Sequence, residues 1–409
     1  MDPAVGSALQ AAFAAEWARV VATMIRVTGD WDVAEEAAAG AFEKALVTWP
    51  RDGVPSKPGA WLTTAARNLA TDRLRRQGVE RAKLREVLSM DVSTPEDPAT
   101  LAVHGPSWDD RLRLIFTCAH PALPLDARVA LTLRTVGGLS TAEVARAFLV
   151  SEQTMAQRIV RAKRKIANAG IPYRVPPPGA LPQRLAGVLA VLYLVHNEGY
   201  AASSGDRLQR LDLAAEAIRL TRLLRSLLPD PEVDGLLALM VLQHARSMAR
   251  VDRTGDLVPL EDQDRSTWDA TEIAEGLALL DATAGSGRGP YRIQAEIQAV
   301  HARAGTAAAT DWAAICALYA ELPPSPVVEL NRAIAVGMAL GPDAGLAMLA
   351  TIEASGDLAG YYLLPAARAD LCRRAGLFDS AAEHYREALT LAPTEPERRY
   401  LARRLRSLT

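Results

Sequence analysis

The sequence predicts an all-α protein: two small helical domains, the second carrying a helix-turn-helix, followed by a larger helical domain with tetratricopeptide-like pairs. Three observations predict it. Alanine, leucine and arginine dominate a chain that is 49% apolar yet only 5% aromatic, and long β-branched runs are scarce, so helices packed on helices are favoured. Apolar residues recur three and four positions apart in two basic segments, at Leu62, Ala66 and Leu69 and at Met155, Ile159, Ala162 and Ile166. Glycine and proline gather at a few places and read as breaks between helices. At 409 residues the chain exceeds one small core, so two or three domains are expected.

Taken in order, residues 1–86 form the first domain, a helical bundle from residue 9 onward. Its N-terminal stretch lacks a basic region and carries Glu16 among its apolar residues, which fits neither a secretory signal nor a membrane span. Residues 87–108 are rich in Pro, Ser, Thr and Asp and read as a linker. Residues 109–170 form the second domain. Residues 171–182, IPYRVPPPGALP, read as an extended, semi-rigid connection to a helical region over 183–409. Cys118, Cys316 and Cys372 are too sparse for a disulfide framework, so a soluble protein of the reducing cytoplasm is expected.

The formal net charge of −2 hides an asymmetry. Residues 1–60 hold 5 Lys+Arg against 8 Asp+Glu, residues 61–170 hold 17 against 11, and residues 171–409 hold 24 against 29. Positive charge is confined to the middle, where a polyanion would be held.

Within that middle, LPLDARVALTLRTVGG predicts one helix closed by Gly137 and Gly138. Ser140 and Glu143 have capping-box spacing at the start of the short helix TAEVARAF. Leu149 and Val150 form a turn, and Ser151 caps the next helix, SEQTMAQRIVRAKRKIANAG. There Met155, Ile159, Ala162 and Ile166 make an apolar stripe. Thr154, Arg158, Arg161 and Lys165 follow the same spacing on another face, beside Gln153 and Gln157. Amides, hydroxyls and guanidinium groups on a capped second helix suit base edges and phosphates in a major groove.

A second basic helix is predicted over Pro58–Gln77. Leu62, Ala66 and Leu69 form its apolar stripe, Thr64, Asn68, Thr71 and Arg75 lie opposite, and Arg73 and Arg76 extend the charge. Residues 48–58, TWPRDGVPSKP, read as a proline-rich loop beside Trp49 where an unstacked base could be held.

Together these residues resemble bacterial sigma factors of the extracytoplasmic-function type. AWLTTAARNLATDRLRRQ resembles their promoter-melting helix, and residues 123–166 resemble their promoter-reading helix-turn-helix. The resemblance implies that Trp49, Trp61, Arg67, Asn68, Thr71, Arg75 and Arg76 serve melting of the minus-ten element. It implies that Ser151, Gln153, Thr154, Gln157, Arg158, Arg161 and Lys165 read the minus-thirty-five element. DWDVAEEAAAGAFEKAL, residues 30–46, resembles the helix that docks on the β′ clamp of RNA polymerase, which implies contacts through Asp30, Glu35, Glu36 and Phe42, with Ala39 where relatives often have glutamine. The implied partners are promoter DNA and core RNA polymerase, through its β′ clamp and β flap. DDRLRLIFTCAHPAL, NEGY and GPYRIQAEIQAVHA resemble a subgroup with a long C-terminal extension.

In the C-terminal half, residues 364–393 look like a tetratricopeptide repeat that turns at Gly376, packs Ala382, Tyr385 and Ala388, and ends at Pro393. Residues 330–352 look like an imperfect relative with a turn at Gly341. Stacked pairs leave a surface for a peptide or a domain, so the extension is expected to regulate activity, in part by docking within the chain. No enzyme site, cofactor or metal is expected. Cys118 and His120 lack a second ligand pair, HNEGY (196–200) makes no triad, and GSGRGPY (285–291) lacks the features of a phosphate loop. Two other classes fit parts of the pattern. A one-component helix-turn-helix regulator with a C-terminal sensor leaves the 58–77 helix unexplained, and a tetratricopeptide scaffold leaves both basic helices unexplained.

Overall fold

The computed structural model of the chain describes residues 3–88, 109–148, 150–201 and 208–408. Among these no strand forms, only an isolated antiparallel bridge between Val251 and Leu257. No helix among them is long and apolar enough to cross a membrane. The linker expected over 87–108 lies outside the described residues apart from Val87 and Leu88, which end a helix, and Leu149 of the expected turn lies outside them too. The chain divides into two compact units, Met1–Val191 and Leu192–Thr409.

The first unit begins with three helices that pack on one another: α1 (Pro3–Thr28), α2 (Trp31–Asp52) and α3 (Pro58–Leu88). Their contact is lined by small residues such as Ala22, Ala34, Ala38, Ala41, Ala45 and Ala66, all fully buried, which lets the backbones approach closely. Gly29, at φ +67°, turns α1 into α2, and the Asp30 carboxylate accepts from the amides of Asp32 and Val33 to cap α2. The proline-rich loop is shorter than expected. α2 runs through Pro50 to Asp52, so only residues 53–57 connect it to α3. Pro50 is tolerated because it falls in the last turn, where Leu46, whose carbonyl loses its donor, lies on the exposed side.

The same unit continues with α4 (Asp110–Cys118), α5 (Leu125–Leu131), α6 (Thr141–Ala147), α7 (Glu152–Asn168) and the extended stretch that leads to α8 (Leu181–Tyr200). The helix expected up to Gly137 is not uniform: α5 passes into a π-helical turn over Thr132–Val136, closed by the Gly137 amide on the Thr132 carbonyl at 2.9 Å. Ser140 and Glu143 form the expected capping box, and the Ser151 hydroxyl accepts from the Thr154 amide at 3.1 Å. The stripe Met155, Ile159, Ala162 and Ile166 is buried, as its spacing predicts.

The second unit is built on α10 (Pro231–His244), which is buried all round from Gly235 to Leu242. It packs against α9 (Leu211–Leu227), α11 (Ala270–Ala282) and α12 (Pro290–Arg303). α13 (Trp312–Glu321), α14 (Pro326–Leu340), α15 (Pro342–Ser355), α16 (Leu363–Arg374), α17 (Phe378–Leu391) and α18 (Glu395–Arg406) then stack each on the next. Gly341 and Gly376 take positive φ at the two expected turns. In the expected repeat Tyr385 and Ala388 are fully buried. Ala381 takes the inner position expected for Ala382, which is half-buried.

Candidate nucleic-acid interface

α7 presents its polar face to solvent. Gln153, Thr154, Gln157, Arg161 and Lys165 are exposed, and among the described residues Arg161, Arg164 and Lys165 enter no ion pair. The Ser151 hydroxyl is spent on the cap and on Thr154 Oγ1, 2.8 Å away, so these two side chains fix the start of the helix. Arg158 is drawn into the fold. Its guanidinium lies 3.3 Å from Asp126 and over the Phe148 ring, 5.3 Å from the centroid, so it braces α7 against α5 and α6. The exposed remainder, two glutamines in the first two turns of the helix and Arg161 one turn further on, is the set that can form paired hydrogen bonds to purine edges.

α3 presents a second such face. Arg67, Asn68, Thr71, Arg75 and Arg76 are exposed, while Leu62 and Ala66 are fully buried. Leu69 departs from the expected stripe at 37% exposure. The Thr71 hydroxyl donates to the Arg67 carbonyl at 2.9 Å, which leaves its oxygen free to accept. Arg73 pairs with Glu36 at 2.8 Å across the α2–α3 contact. Trp49 lies inside α2 rather than in a loop and is 1% exposed, with its ring edge-on to half-buried Trp61 at 5.7 Å. In this conformation Trp49 offers no surface to a base.

On α2, Glu36 is exposed, Asp30 is occupied as the cap, and Phe42 is 7% exposed and packed on Phe13 and Trp17. Glu35 is also buried. Its carboxylate accepts from Thr135 Oγ1 at 3.0 Å and lies 3.2 Å from Lys163 and 3.5 Å from Arg134. Lys163 also bonds Asp32 at 2.8 Å. Thus α2 is tied to the π-helical turn and to α7. The Trp17 indole adds a bond to the Thr135 carbonyl at 3.1 Å, Arg26 pairs with Asp110 at 2.8 Å, and the Tyr173 hydroxyl lies 3.0 Å from the Ala22 carbonyl. Burial raises the Tyr173 phenol well above its ordinary range.

Sequence reasoning missed Arg134, Thr135 and Lys163. A signal was present: Glu35 falls in register with Ala38, Phe42 and Ala45, all buried. A carboxylate in a buried stripe needs partners, and the partners were cations from elsewhere in the chain.

The other tempting groups have structural work. Cys118 is fully buried and burial raises its thiol pKa, while His120 Nδ1 accepts from the Ala122 amide at 3.1 Å. His196 is fully buried, stacked on Tyr200, and pushed down to about 3 by burial, so it stays neutral. Glu198 pairs with Arg210 at 3.3 Å. Gly199 touches α9 so closely that a Cβ would lie 2.3 Å from the Ala214 nitrogen. At Gly289–Arg292, the Glu232 carboxylate caps α12 through the amides of Tyr291 and Arg292 at 3.1 and 3.3 Å. The Arg292 guanidinium bonds the Leu280 and Thr283 carbonyls that end α11. No group of three His, Cys, Asp or Glu is placed to hold a metal among the described residues.

Comparison with known families matches residues 13–79 to sigma-70 region 2, residues 113–166 to sigma-70 region 4, and residues 184–284 to a family of unknown function, DUF6596. The chain is similar to an uncharacterized protein of Rhizobium meliloti (strain 1021), 44% identical over 394 residues that cover 95% of this chain and 92% of the relative. No solved structure matches it.

Proposed function

Because this chain belongs to the sigma-70 family, as an RNA polymerase sigma factor with a C-terminal extension, we propose that it is of the extracytoplasmic-function type and directs core polymerase to a specific set of promoters from the cytoplasm. One observation carries the reading. A single unit exposes two separate polar, cationic helix faces, Gln153–Gln157–Arg161 on α7 and Arg67–Asn68–Arg75 on α3.

Their chemistry divides the work. The α7 face has the amides and guanidinium that read intact duplex, where each good bidentate contact discriminates by about 1–3 kcal/mol. The α3 face mixes Asn68 and Thr71 with three arginines, which suits phosphates and bases of an opened strand. Exposed Glu36, Glu43 and Val47 on α2 supply a surface for the β′ clamp, and the helix-turn-helix meets the β flap. No step makes or breaks a covalent bond at this protein's own side chains, so it acts by binding and not as an enzyme. The helical extension regulates this activity.

Run-off transcription tests the reading. Purified core polymerase and fragmented genomic DNA should give discrete new transcripts only when the protein is added. Their absence with both the full chain and a chain ending at Tyr200, which keeps α8 whole, would refute it. Transcripts from the shorter chain alone would assign the extension an inhibitory role, and transcripts from the full chain alone an activating one.

A further inference from the structure

Outside both polar helix faces, the HNEGY segment ends in Tyr200 at the close of α8, and two guanidinium groups gather on this one ring. Arg250 lies over it, 3.6 Å from the centroid, and donates to the Tyr200 carbonyl. Arg246 stands 5.7 Å from the same centroid and donates to the Tyr200 hydroxyl at 2.5 Å. The two follow α10 on either side of the 3-10 turn Ser247–Ala249, which packs on a second such turn, Arg265–Thr267. That turn brings in Arg265, whose guanidinium bonds the His301 and Ala304 carbonyls at the end of α12, each at 2.6 Å. We propose that Arg246 and Arg250, beside Arg265 and His301, form a binding site for a phosphoryl group, carried by free phosphate or by a small phosphorylated metabolite.

The cations here outnumber their counter-ions. Among the described residues Arg246, Arg250 and Arg265 enter no ion pair. Glu272 is held by His244 at 2.8 Å. Glu397 acts on Arg250 from beyond ion-pair distance, because its oxygens take the Tyr362 hydroxyl and the Thr394 amide and hydroxyl. Arg265 spends its donors on carbonyls and on Thr310 Oγ1. Arg246 and Arg250 bond only Tyr200, which leaves most of their N–H groups to donate elsewhere. Arg246 Nε and His301 Nδ1 are buried without a hydrogen-bond partner. His301 is 8% exposed, and burial together with the charges of Arg246 and Arg265 pushes it down to about 4, so it stays neutral. Like charges gathered at the edge of a core repel and lose hydration, and an anion that accepts from both offsets that cost.

The donor set selects the anion. A carboxylate pairs with one guanidinium, whereas a phosphoryl group has three oxygens and nearly two charges and can accept from Arg246 and Arg250 together. Both arginines are half-buried, and Met248 between them is 72% exposed, so the pair is reached from solvent. Tyr200, Arg246, Arg250 and Arg265 all fall within residues 184–284, the part that matches the family of unknown function. Use of the site by an effector rests on the regulatory reading of the extension; binding of the anion does not.

Isothermal titration calorimetry on the full chain at fixed ionic strength tests this with inorganic phosphate, glycerol 3-phosphate and succinate. At least one of the phosphates should bind saturably at one site per chain, and succinate should bind about tenfold more weakly or not at all. Tighter binding of inorganic phosphate marks the free ion as the ligand, tighter binding of the ester marks a phosphorylated metabolite, and both support the site. Arg246→Gln and Arg250→Gln should each weaken binding by on the order of tenfold, while Arg253→Gln, exposed in the next turn, should leave it unchanged. Should the glutamine variants fail to fold by circular dichroism, Arg246→Lys and Arg250→Lys decide: the charge stays, the paired donors go, and binding should still weaken. No saturable binding of either phosphate, equal binding of succinate, or unchanged binding in the folded variants overturns the site. None of these readouts uses polymerase, so the site can fail while the sigma-factor reading stands, and run-off transcription can refute that reading while the site stands.

Discussion

Up to Arg76, helix α3 carries Arg67, Arg73, Arg75 and Arg76, and α7 carries Arg158, Arg161, Lys163, Arg164 and Lys165. On α3 only Arg73 enters an ion pair among the described residues, and its pair with Glu36 is half exposed on both sides, a geometry worth about 0–1 kcal/mol. On α7, Arg158 and Lys163 are captured by the fold, and the Lys163 side chain is only 12% exposed. The difference follows from position around the helix. At about 100° per residue, Arg158 and Lys163 lie roughly 70° from the axis of the Met155–Ile159–Ala162–Ile166 stripe, while Arg161 and Arg164 lie about 130° and 170° away. Cations that flank a buried stripe become structural; cations opposite it remain for a ligand. Basic residues in a sequence are therefore candidates for a surface, and the distance from the apolar stripe sorts them.

The largest expected effect breaks the comparison on its functional side. Replacing Gln153, Gln157 and Arg161 together by Ala should lower promoter-directed transcription more than 100-fold, since each contact is worth about 1–3 kcal/mol. All three are off the buried stripe, so thermal unfolding should be unchanged. Transcription at the unmodified level would show that α7 is not the reading helix.

The next test concerns Trp49, whose place in the chain suggests a base-holding loop and whose place in the fold is the core. Trp49→Ala should destabilise the first unit by about 3–5 kcal/mol, the usual cost of emptying a buried aromatic site, as read from denaturant unfolding. A stable variant defective only in promoter opening would return Trp49 to the interface.

What was legible in the sequence was local. The caps at Ser140 and Ser151, the stripe of α7, and the turn glycines Gly341 and Gly376 each have their determinants within a few residues, and each is found where expected. Pro50 misled because a proline in an exposed last turn costs little, so α2 runs past it. The Glu35–Lys163 pair was illegible as a contact because the two residues are 128 positions apart, although Glu35 announced itself by standing in a buried register. The same holds for GPYR. Nothing local to it names its partners; only the fold supplies Glu232 as the cap and the end of α11 as the partner of Arg292.

The smallest effect sharpens the comparison within α7 itself. Arg158→Ala removes a 3.3 Å pair with Asp126 and the stacking on Phe148, and should lower stability by about 1 kcal/mol. Arg164→Ala, on the far side of the helix and outside any ion pair among the described residues, should change stability by less than about 0.5 kcal/mol. The resemblance to sigma factors implies DNA contact for Arg158, and the fold gives it a second task. If Arg158 only braces α7, Arg158→Lys should lose the planar stacking and part of the stability, while promoter use falls only as far as stability does. If it also reaches DNA, promoter use will fall further than unfolding accounts for. Thermal unfolding and run-off transcription measured on the same three variants separate the two tasks.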